Sequence, residues 1–149
     1  YGDWTLEMWD GETPVVYTGH LDELFVYDRG ELPWLRASVR CMPAGDWNMG
    51  CWSTINIPDR GEECLRVWET SRFTARAGVA PHLDGQYPGE GRRLYPVEAK
   101  GRHLWADYRS RLPKRVQLAG RCGLYSYMDM DEALLSGRAA AQRLVEGWV

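Results

Sequence analysis

Residues 120–131, GRCGLYSYMDMD, connect a strand-like segment to the clearest helical pattern of the chain. Before them, residues 116–119 (VQLA) have the composition of a short strand that runs into Gly120. After them, Asp129 is followed three residues later by Glu132, which is the spacing of a capping box with Asp in the Ser/Thr place. The stretch therefore predicts a strand, a turn and the capped start of a helix.

The closing helix is predicted to be amphipathic. A helix that begins at Asp129 directs free N–H groups and the positive end of its dipole towards whatever precedes it. Gly137 is expected to let this helix pack closely. We expect the apolar residues at helical spacing to form its apolar stripe, namely Met130, Leu134, Ala141, Val145 and Trp148.

The remainder of the chain predicts short strands and two further helices. One helix is expected to begin at a cap on Asp22, and another covers 104–112 and stops at Pro113. The Gly- and Pro-rich residues 77–94 are predicted to form a loop. The strands are predicted at about residues 14–18, 35–40, 49–57 and 65–74, with the last two as an antiparallel pair. The predicted fold class is therefore α+β, with antiparallel strands and two or three helices.

Composition excludes several classes of function. A net charge of −3 argues against sequence-independent binding of nucleic acid. No apolar run reaches the roughly 20 residues that span a bilayer. The four cysteines form no C-x-x-C pair, and with three histidines they predict no zinc site. Since no secretory signal pattern opens the sequence, we expect a cytoplasmic protein with reduced thiols.

Two features of the sequence are compatible with binding of a small anionic ligand. Basic residues cluster at 92–93, 100–102 and 109–115, either as solvated faces or as part of an anion site. Eight tryptophans and eight tyrosines mildly favour a ligand site, because these side chains stack on sugars and bases.

Three blocks carry a family resemblance. Residues 15–25 read VVYTGHLDELF, residues 66–73 read RVWETSRF, and residues 120–131 read GRCGLYSYMDMD. In the same order and at fitting spacing, they resemble the segments YTGPIDEFF, RIIEHKHF and GRLGTYKYLDMD of the UDP-galactopyranose mutases. Asn56 and Tyr95 stand at positions similar to the family's NYTD and YYPV segments. The resemblance covers nearly the whole chain from Val15 onward.

The resemblance implies a flavin-dependent isomerase. Such an enzyme interconverts UDP-galactopyranose and UDP-galactofuranose with reduced FAD as cofactor. It also implies that residues 1–149 are a single C-terminal mutase-like domain. Within that domain, about 14–114 would carry the sheet, and about 115–149 would be the last strand and closing helix of the FAD-binding region.

The cofactor is expected to contact this chain only in part. No segment matches the G-x-G-x-x-G turn that opens a Rossmann-like FAD-binding region. Activity is therefore expected to need an N-terminal FAD-binding segment or a partner chain. Two alternatives stay open: a fragment of an FAD-dependent oxidoreductase of the amine-oxidase type, and a non-catalytic remnant or accessory subunit.

The resemblance also assigns roles to individual residues. Arg66 is the expected catalytic residue, because its family counterpart contacts the diphosphate, where negative charge builds as the glycosidic bond breaks. The residues assigned to substrate binding are Arg66, Asn56, Tyr95 and Tyr127. The residues assigned to the flavin are Arg121, Tyr127, Asp129 and Met130, and no metal is expected.

Each role has a purely structural alternative. Arg66 would form a surface ion pair with Glu69, the tyrosines would be half-buried packing residues, and Asp129 would be an N-cap worth about 1 kcal/mol. The sequence also departs from the family pattern at His20, which replaces a proline, and at 70–72, where TSR replaces HKH. The arginine of residues 34–36 comes one position late.

Overall fold

The chain folds as two units, each with its own hydrophobic core. A computed structural model describes residues 4–42, 49–59, 61–73 and 82–147. The first unit combines Tyr1–Trp34 with Tyr95–Val149, and the second is Leu35–Leu94. The α+β class is confirmed. The expectation that residues from about 115 onward belong to the FAD-binding region stays a prediction.

The first unit carries the helices and a parallel pair of strands. A short 3-10 turn, Leu6–Met8, precedes them. The elements are β1 (Val15–Tyr17), α1 (Leu21–Leu24), α2 (Glu98–Ser110), β7 (Val116–Leu118), α3 (Gly120–Leu124) and α4 (Met130–Glu146). Strands β1 and β7 run parallel, with Val15 opposite Val116. The predicted strands and the capped start of α4 are confirmed, and α3 lies between them.

The second unit carries an antiparallel sheet, of which Trp34 at the start and Tyr95 and Pro96 at the end belong to the first unit. Its strands are β2 (Trp34–Met42), β3 (Thr54–Asn56), β4 (Arg66–Glu69), β5 (Leu83–Pro88) and β6 (Arg92–Pro96), in the order β3-β4-β5-β2-β6. The predicted antiparallel pair is confirmed as β3 and β4, both shorter than expected. After β4, the Thr70–Phe73 segment turns into a 3-10 helix. One face of the sheet packs on a core of Met49, Cys64, Val67 and Leu83.

The prediction of a loop over 77–94 is wrong for its described part. Residues 77–81 lie outside the described residues, and the rest of the range contains strand β5 and the start of strand β6. Gly89 and Gly91 have φ of 112° and 133°, so they supply the turn between the strands. Gly85 lies inside β5, where a Cβ would come within 2.7 Å of Met42 Sδ. The glycines therefore mark a turn and a close contact.

The predicted cap of α1 is also wrong. The helix begins after His20, and Asp22 is completely buried within it. The Asp22 carboxylate accepts a hydrogen bond from the Leu32 N–H at 2.8 Å. A buried acid needs such a donor, so this acid ties α1 to a later segment of the same unit.

Tyr125 forms the centre of the first core. Its side chain is completely buried, and its hydroxyl lies 2.6 Å from Pro33 O and 3.0 Å from Val97 O, so it donates its proton to one of them. The ring approaches α2 so closely that a Cβ at Gly101 would lie 2.2 Å from Tyr125 Oη. Gly101 is therefore required by packing although glycine weakens a helix.

The apolar stripe predicted for α4 lies on the exposed side of the helix. The helix packs on the parallel strands through small residues, with Ala140 fully buried, and Ser136 Oγ accepts the Gly120 N–H. The predicted stripe residues Met130, Leu134, Ala141 and Val145 are exposed instead, whereas Trp148 lies outside the described residues. A Cβ at Gly137 would meet nothing within 4 Å, so close packing does not require this glycine.

Candidate functional site

Three side chains of the first unit form a compact group, the tyrosine–arginine cluster of Tyr95, Arg121 and Tyr127. The two rings stack with centroids 5.8 Å apart and an interplanar angle of 29°. The Arg121 guanidinium carbon lies 5.4 Å from the Tyr95 ring centroid and 4.8 Å from that of Tyr127. Cation–π attraction therefore holds a charged guanidinium beside two hydroxyl-bearing rings.

The cluster is open to ligands. Tyr127 is 57% exposed and Tyr95 is partly buried. Neither hydroxyl makes a hydrogen bond to another described residue. Arg121 is oriented by donating from Nη2 to Met128 O at 2.7 Å. Because the hydroxyls and a cation lie together on one surface, the cluster suits an anionic ligand.

Glu98 holds Tyr127 in place, and sequence reasoning missed it. The Glu98 Oε1 atom accepts the Tyr127 N–H at 2.9 Å and the Ser126 hydroxyl at 3.1 Å, while Oε2 pairs with Arg102. The Tyr127 N–H is the main cause that lowers the pKa of Glu98 below its usual range. Glu98 therefore anchors the segment that carries Tyr127 to the first turn of α2.

We expect the anchoring by Glu98 to be lost in acid. The folded pKa lies below the unfolded value, so the charge adds stability above the unfolded pKa of about 4.3 and loses it as pH falls through the folded pKa. Thermal melts should show Glu98→Gln less stable than wild type at pH 7, with a smaller difference near pH 3. A difference that does not change with pH would contradict the role of this charge.

The start of α4 lies next to the cluster in sequence. The Asp129 N–H donates to Glu132 Oε2 at 2.9 Å, and the Asp129 carboxylate accepts the Glu132 N–H, which completes the predicted capping box. Tyr127 and Asp129 are exposed on either side of the buried Met128, as expected for an extended segment. Met130 is 86% exposed.

These groups fit one part of a flavin. An aromatic and cationic surface and the start of a 17-residue helix suit an isoalloxazine ring that becomes anionic on reduction. The acidic first turn of α4 offsets part of the helix dipole, because Asp129, Asp131 and Glu132 all carry negative charge. The residues predicted to contact the flavin all lie within one short segment, namely Arg121, Tyr127, Asp129 and Met130.

Arg66 and Asn56 lie together in the second unit. They are directly opposite each other on β4 and β3, and Arg66 Nε donates to Asn56 Oδ1 at 2.7 Å. Within the part of the chain that the structure describes, no carboxylate is within ion-pair distance of Arg66. The positive charge is therefore held by a neutral amide, which leaves it available to an anion.

The alternative of an Arg66–Glu69 ion pair is wrong. Residues three apart on a strand point to opposite faces of the sheet. Glu69 instead accepts from Ser71 Oγ at 2.8 Å and from Arg72 Nε at 2.5 Å, and the Ser71 hydroxyl is the main cause that lowers its pKa. Glu69 therefore pairs with Arg72 and not with Arg66.

Gln86 is a second neighbour of Arg66 that sequence reasoning missed. It lies directly opposite Arg66 on β5, on the same face of the sheet, and is 7% exposed. Arg66 therefore sits in a row between two amide-bearing residues, Asn56 and Gln86. Only the strand register reveals this row, since residues 77–94 are predicted to be a loop.

The structure thus groups the predicted residues within each unit. Tyr95, Arg121 and Tyr127 touch one another, with Asp129 following in sequence, and Arg66 contacts Asn56. Among the described residues, no group of three or more His, Cys, Asp or Glu side chains is arranged to hold a metal ion. None of the described helices is both long and apolar enough to cross a membrane.

These features define a class of protein. Parallel strands next to a capped helix are typical of α/β folds, and the antiparallel sheet presents an exposed arginine held by a neutral amide. The comparison with known families identifies the class further. The family model for UDP-galactopyranose mutase matches residues 3–127, and the chain belongs to this family.

Two curated relatives agree with this membership. The chain is 26% identical over 146 residues to the UDP-galactopyranose mutase of Mycoplasma genitalium. It is 28% identical over 149 residues to the mutase of Mycoplasma pneumoniae. The alignments cover 90% and 89% of this chain but 36% of each relative. The chain therefore spans about a third of their length, and the recognition of a C-terminal portion of a mutase is confirmed.

Proposed function

We propose that the chain carries the diphosphate-binding and part of the flavin-binding machinery of an enzyme that interconverts UDP-galactopyranose and UDP-galactofuranose. The observation that carries the proposal is the tyrosine–arginine cluster. Two tyrosines that are 32 positions apart in sequence, and that the family resemblance assigns to the phosphates, stack on each other beside a shared arginine. Family membership supports the isomerase class.

Arg66 has the role of stabilising the leaving group. When the bond between the anomeric carbon and the diphosphate oxygen breaks, both electrons stay on the oxygen, and UDP leaves as an anion that later returns. A guanidinium without a carboxylate partner among the described residues provides forked, permanently charged donors for that developing charge. Asn56 Oδ1 accepts a hydrogen bond from Arg66 Nε and so fixes the direction of the guanidinium. The two terminal nitrogens of Arg66 are left for the anion.

The hydroxyls of Tyr95 and Tyr127 donate hydrogen bonds to phosphate oxygens, and Arg121 keeps the two rings in place. The chemistry that reduced FAD supplies when bound is nucleophilic attack through N5 on the anomeric carbon. This chain would contribute Arg121, Tyr127, Asp129 and Met130 to holding the ring. Most of the cofactor would be held by an N-terminal FAD-binding portion.

The function is tested by product analysis. The chain, mixed with the N-terminal portion of a mutase relative, FAD and dithionite, is incubated with UDP-galactofuranose, and the nucleotide sugars are separated by chromatography. We expect UDP-galactopyranose to form only when the reductant is present. Formation of an oxidised product instead, or no conversion by an assembly that contains bound reduced FAD, would contradict the proposal.

The isolated chain should bind FAD weakly or not at all. The sequence has no glycine-rich turn that opens a helix, so the pyrophosphate lacks its usual ring of backbone N–H donors. The check is the visible absorption spectrum of the chain after incubation with FAD and desalting. Near-stoichiometric yellow protein would contradict this expectation.

A further inference from the structure

The sheet face that carries Arg66 extends beyond the arginine. Trp68 follows two residues later in β4, so it lies on the same face, about 6.8 Å further along the strand. On β5, Asp84 is opposite Trp68, and Gln86 is opposite Arg66. The core of the unit lies on the other face, where Val67 is fully buried. We call the four side chains on the Arg66 face the β4–β5 patch, namely Arg66, Trp68, Asp84 and Gln86.

Trp68 does not serve the core of its unit. It is only partly buried, and it is not among the core residues or the side chains packed on them. Among the described residues, its indole N–H has no hydrogen-bond partner, and its ring has no aromatic or cationic neighbour. Tryptophan combines a large apolar ring with one hydrogen-bond donor and is enriched at interfaces. The ring and its N–H are therefore available to a ligand.

Gln86 offers a second group without a partner. It is 7% exposed, yet its side-chain amide makes no hydrogen bond to another described residue. A buried amide normally has a partner, so this one is suited to a polar ligand. The residues opposite Gln86 and Asp84 on β2 are Val39 and Cys41, and both are exposed. The face is therefore open where the amide lies.

Asp84 has one carboxylate oxygen fixed and one available. Its Oδ2 atom accepts the Thr70 hydroxyl at 2.5 Å and lies 3.4 Å from His82 Nε2. Its Oδ1 atom makes no hydrogen bond to another described residue. The side chain is 18% exposed. An oriented carboxylate oxygen is an acceptor for the hydroxyl groups of a sugar.

We propose that Trp68, Asp84 and Gln86 form a subsite for the hexose ring of a nucleotide sugar whose diphosphate lies at Arg66. The inference rests on the proposed function, in which Arg66 holds the diphosphate. The anomeric carbon of such a sugar is bonded directly to a diphosphate oxygen, so the hexose begins where the ligand of the arginine ends. The indole packs on the C–H face of the ring, while Asp84 and Gln86 bind its hydroxyls.

The chemistry of the patch favours a hexose over the other parts of the substrate. A uracil ring presents two carbonyl oxygens, which a carboxylate repels, whereas each sugar hydroxyl is a donor for Asp84. A hexose also has more free hydroxyls than the ribose. Trp68 stands where the family segment RIIEHKHF has isoleucine, so the stacking surface distinguishes this chain from that pattern.

The test follows nucleotide binding by the full chain without flavin, so that it is independent of catalysis. The ¹⁵N-labelled chain is titrated with UDP and, separately, with UDP-galactose, and the Trp68 indole N–H signal is identified by its absence in Trp68→Phe. We expect both ligands to shift the Arg66 Nε–H signal. Only UDP-galactose should shift the indole signal of Trp68, because only this ligand carries a hexose.

Substitutions measure the contribution of the ring and of the acid. Trp68→Leu should weaken UDP-galactose binding roughly tenfold and leave the affinity for UDP unchanged. Trp68→Phe keeps an aromatic ring and should lose only part of that affinity. Asp84→Asn removes the charge but keeps an acceptor oxygen, so it should weaken UDP-galactose about threefold and leave UDP unchanged.

Trp52→Leu is the matched control. Trp52 precedes β3 in the same unit and is 66% exposed, and it lies outside the β4–β5 patch. The same substitution there should leave the affinities for both ligands unchanged. The wild-type indole shift needs no variant, so the proposal can be tested even where Trp68→Leu does not fold.

Three results would overturn the subsite. The first is an indole shift of equal size with UDP, which would identify ribose or uracil as the occupant. The second is binding of UDP-galactose that leaves the Trp68 indole unmoved. The third is an equal loss of affinity for both ligands in Trp68→Leu. In each case a shifted Arg66 Nε–H signal would leave the proposed function standing, whereas binding of neither ligand would contradict both proposals.

Discussion

Arg66→Ala should lower turnover roughly a hundredfold in an assembly that interconverts the two forms of UDP-galactose, on the order of 3 kcal/mol in the barrier. The loss arises because one charge-assisted contact to the leaving diphosphate disappears while its negative charge is still building. The measurement is the initial rate at saturating substrate. Arg66→Lys should recover only part of the rate, because a point charge replaces a forked donor.

Arg72→Ala is the matched control for Arg66→Ala. Arg72 belongs to the same unit, but its charge is paired with Glu69, and its Nη1 atom donates to Gly50 O and Trp52 O. Its removal should lower stability rather than the rate of the folded enzyme. If Arg66→Ala turns over like wild type, or if both alanine variants slow equally, Arg66 has only a structural role.

Gly101→Ala should destabilise the chain by about 2–3 kcal/mol, opposite to what helix propensity alone predicts. An added Cβ would lie 2.2 Å from Tyr125 Oη and 2.5 Å from Cζ of that ring. Tyr125 cannot move aside easily, because it is fully buried and its hydroxyl donates to a main-chain oxygen. Chemical denaturation monitored by circular dichroism measures the loss.

Gly137→Ala is the control for the steric cause. Gly137 is also inside a helix, but a Cβ there meets nothing within 4 Å, so alanine should stabilise the chain by about 0.5–1 kcal/mol. In a double-mutant cycle, Tyr125→Phe should offset part of the cost of Gly101→Ala, since it removes the nearest atom. Strictly additive effects, or a stabilising Gly101→Ala, would contradict the contact.

The sequence predicts local features of the fold well. The capping box at Asp129 and Glu132 depends only on residues three apart, and the structure contains it. The predicted apolar stripe of α4 shows the limit of such reasoning, because apolar periodicity identifies one side of a helix but does not say whether that side is buried. The sequence does not predict strands β5 and β6, because glycines such as Gly85 are typical of loops. Here Gly85 is required by its close contact with Met42 inside β5.

The candidate site divides in the same way. Arg66, Asn56, Tyr95, Arg121 and Tyr127 were identified through family resemblance, and the structure shows which of them touch. The sequence does not predict the roles of Glu98 and Gln86, because these roles depend on contacts with residues far along the chain. Glu98 meets Tyr127 29 positions away, and Gln86 meets Arg66 only through strand register.

The interrupted first unit has a consequence for synthesis. Residues 35–94 are continuous, so the ribosome delivers every part of the second unit before the first can be completed. Strand β1 emerges before the second unit but pairs with β7, which follows roughly a hundred residues later, and closing so long a loop is entropically slow. Strand β1 therefore lacks its partner strand until translation has passed Leu118. We therefore expect the second unit to fold before the first, and β1 to remain an unpaired strand edge, which is prone to aggregation, during that interval.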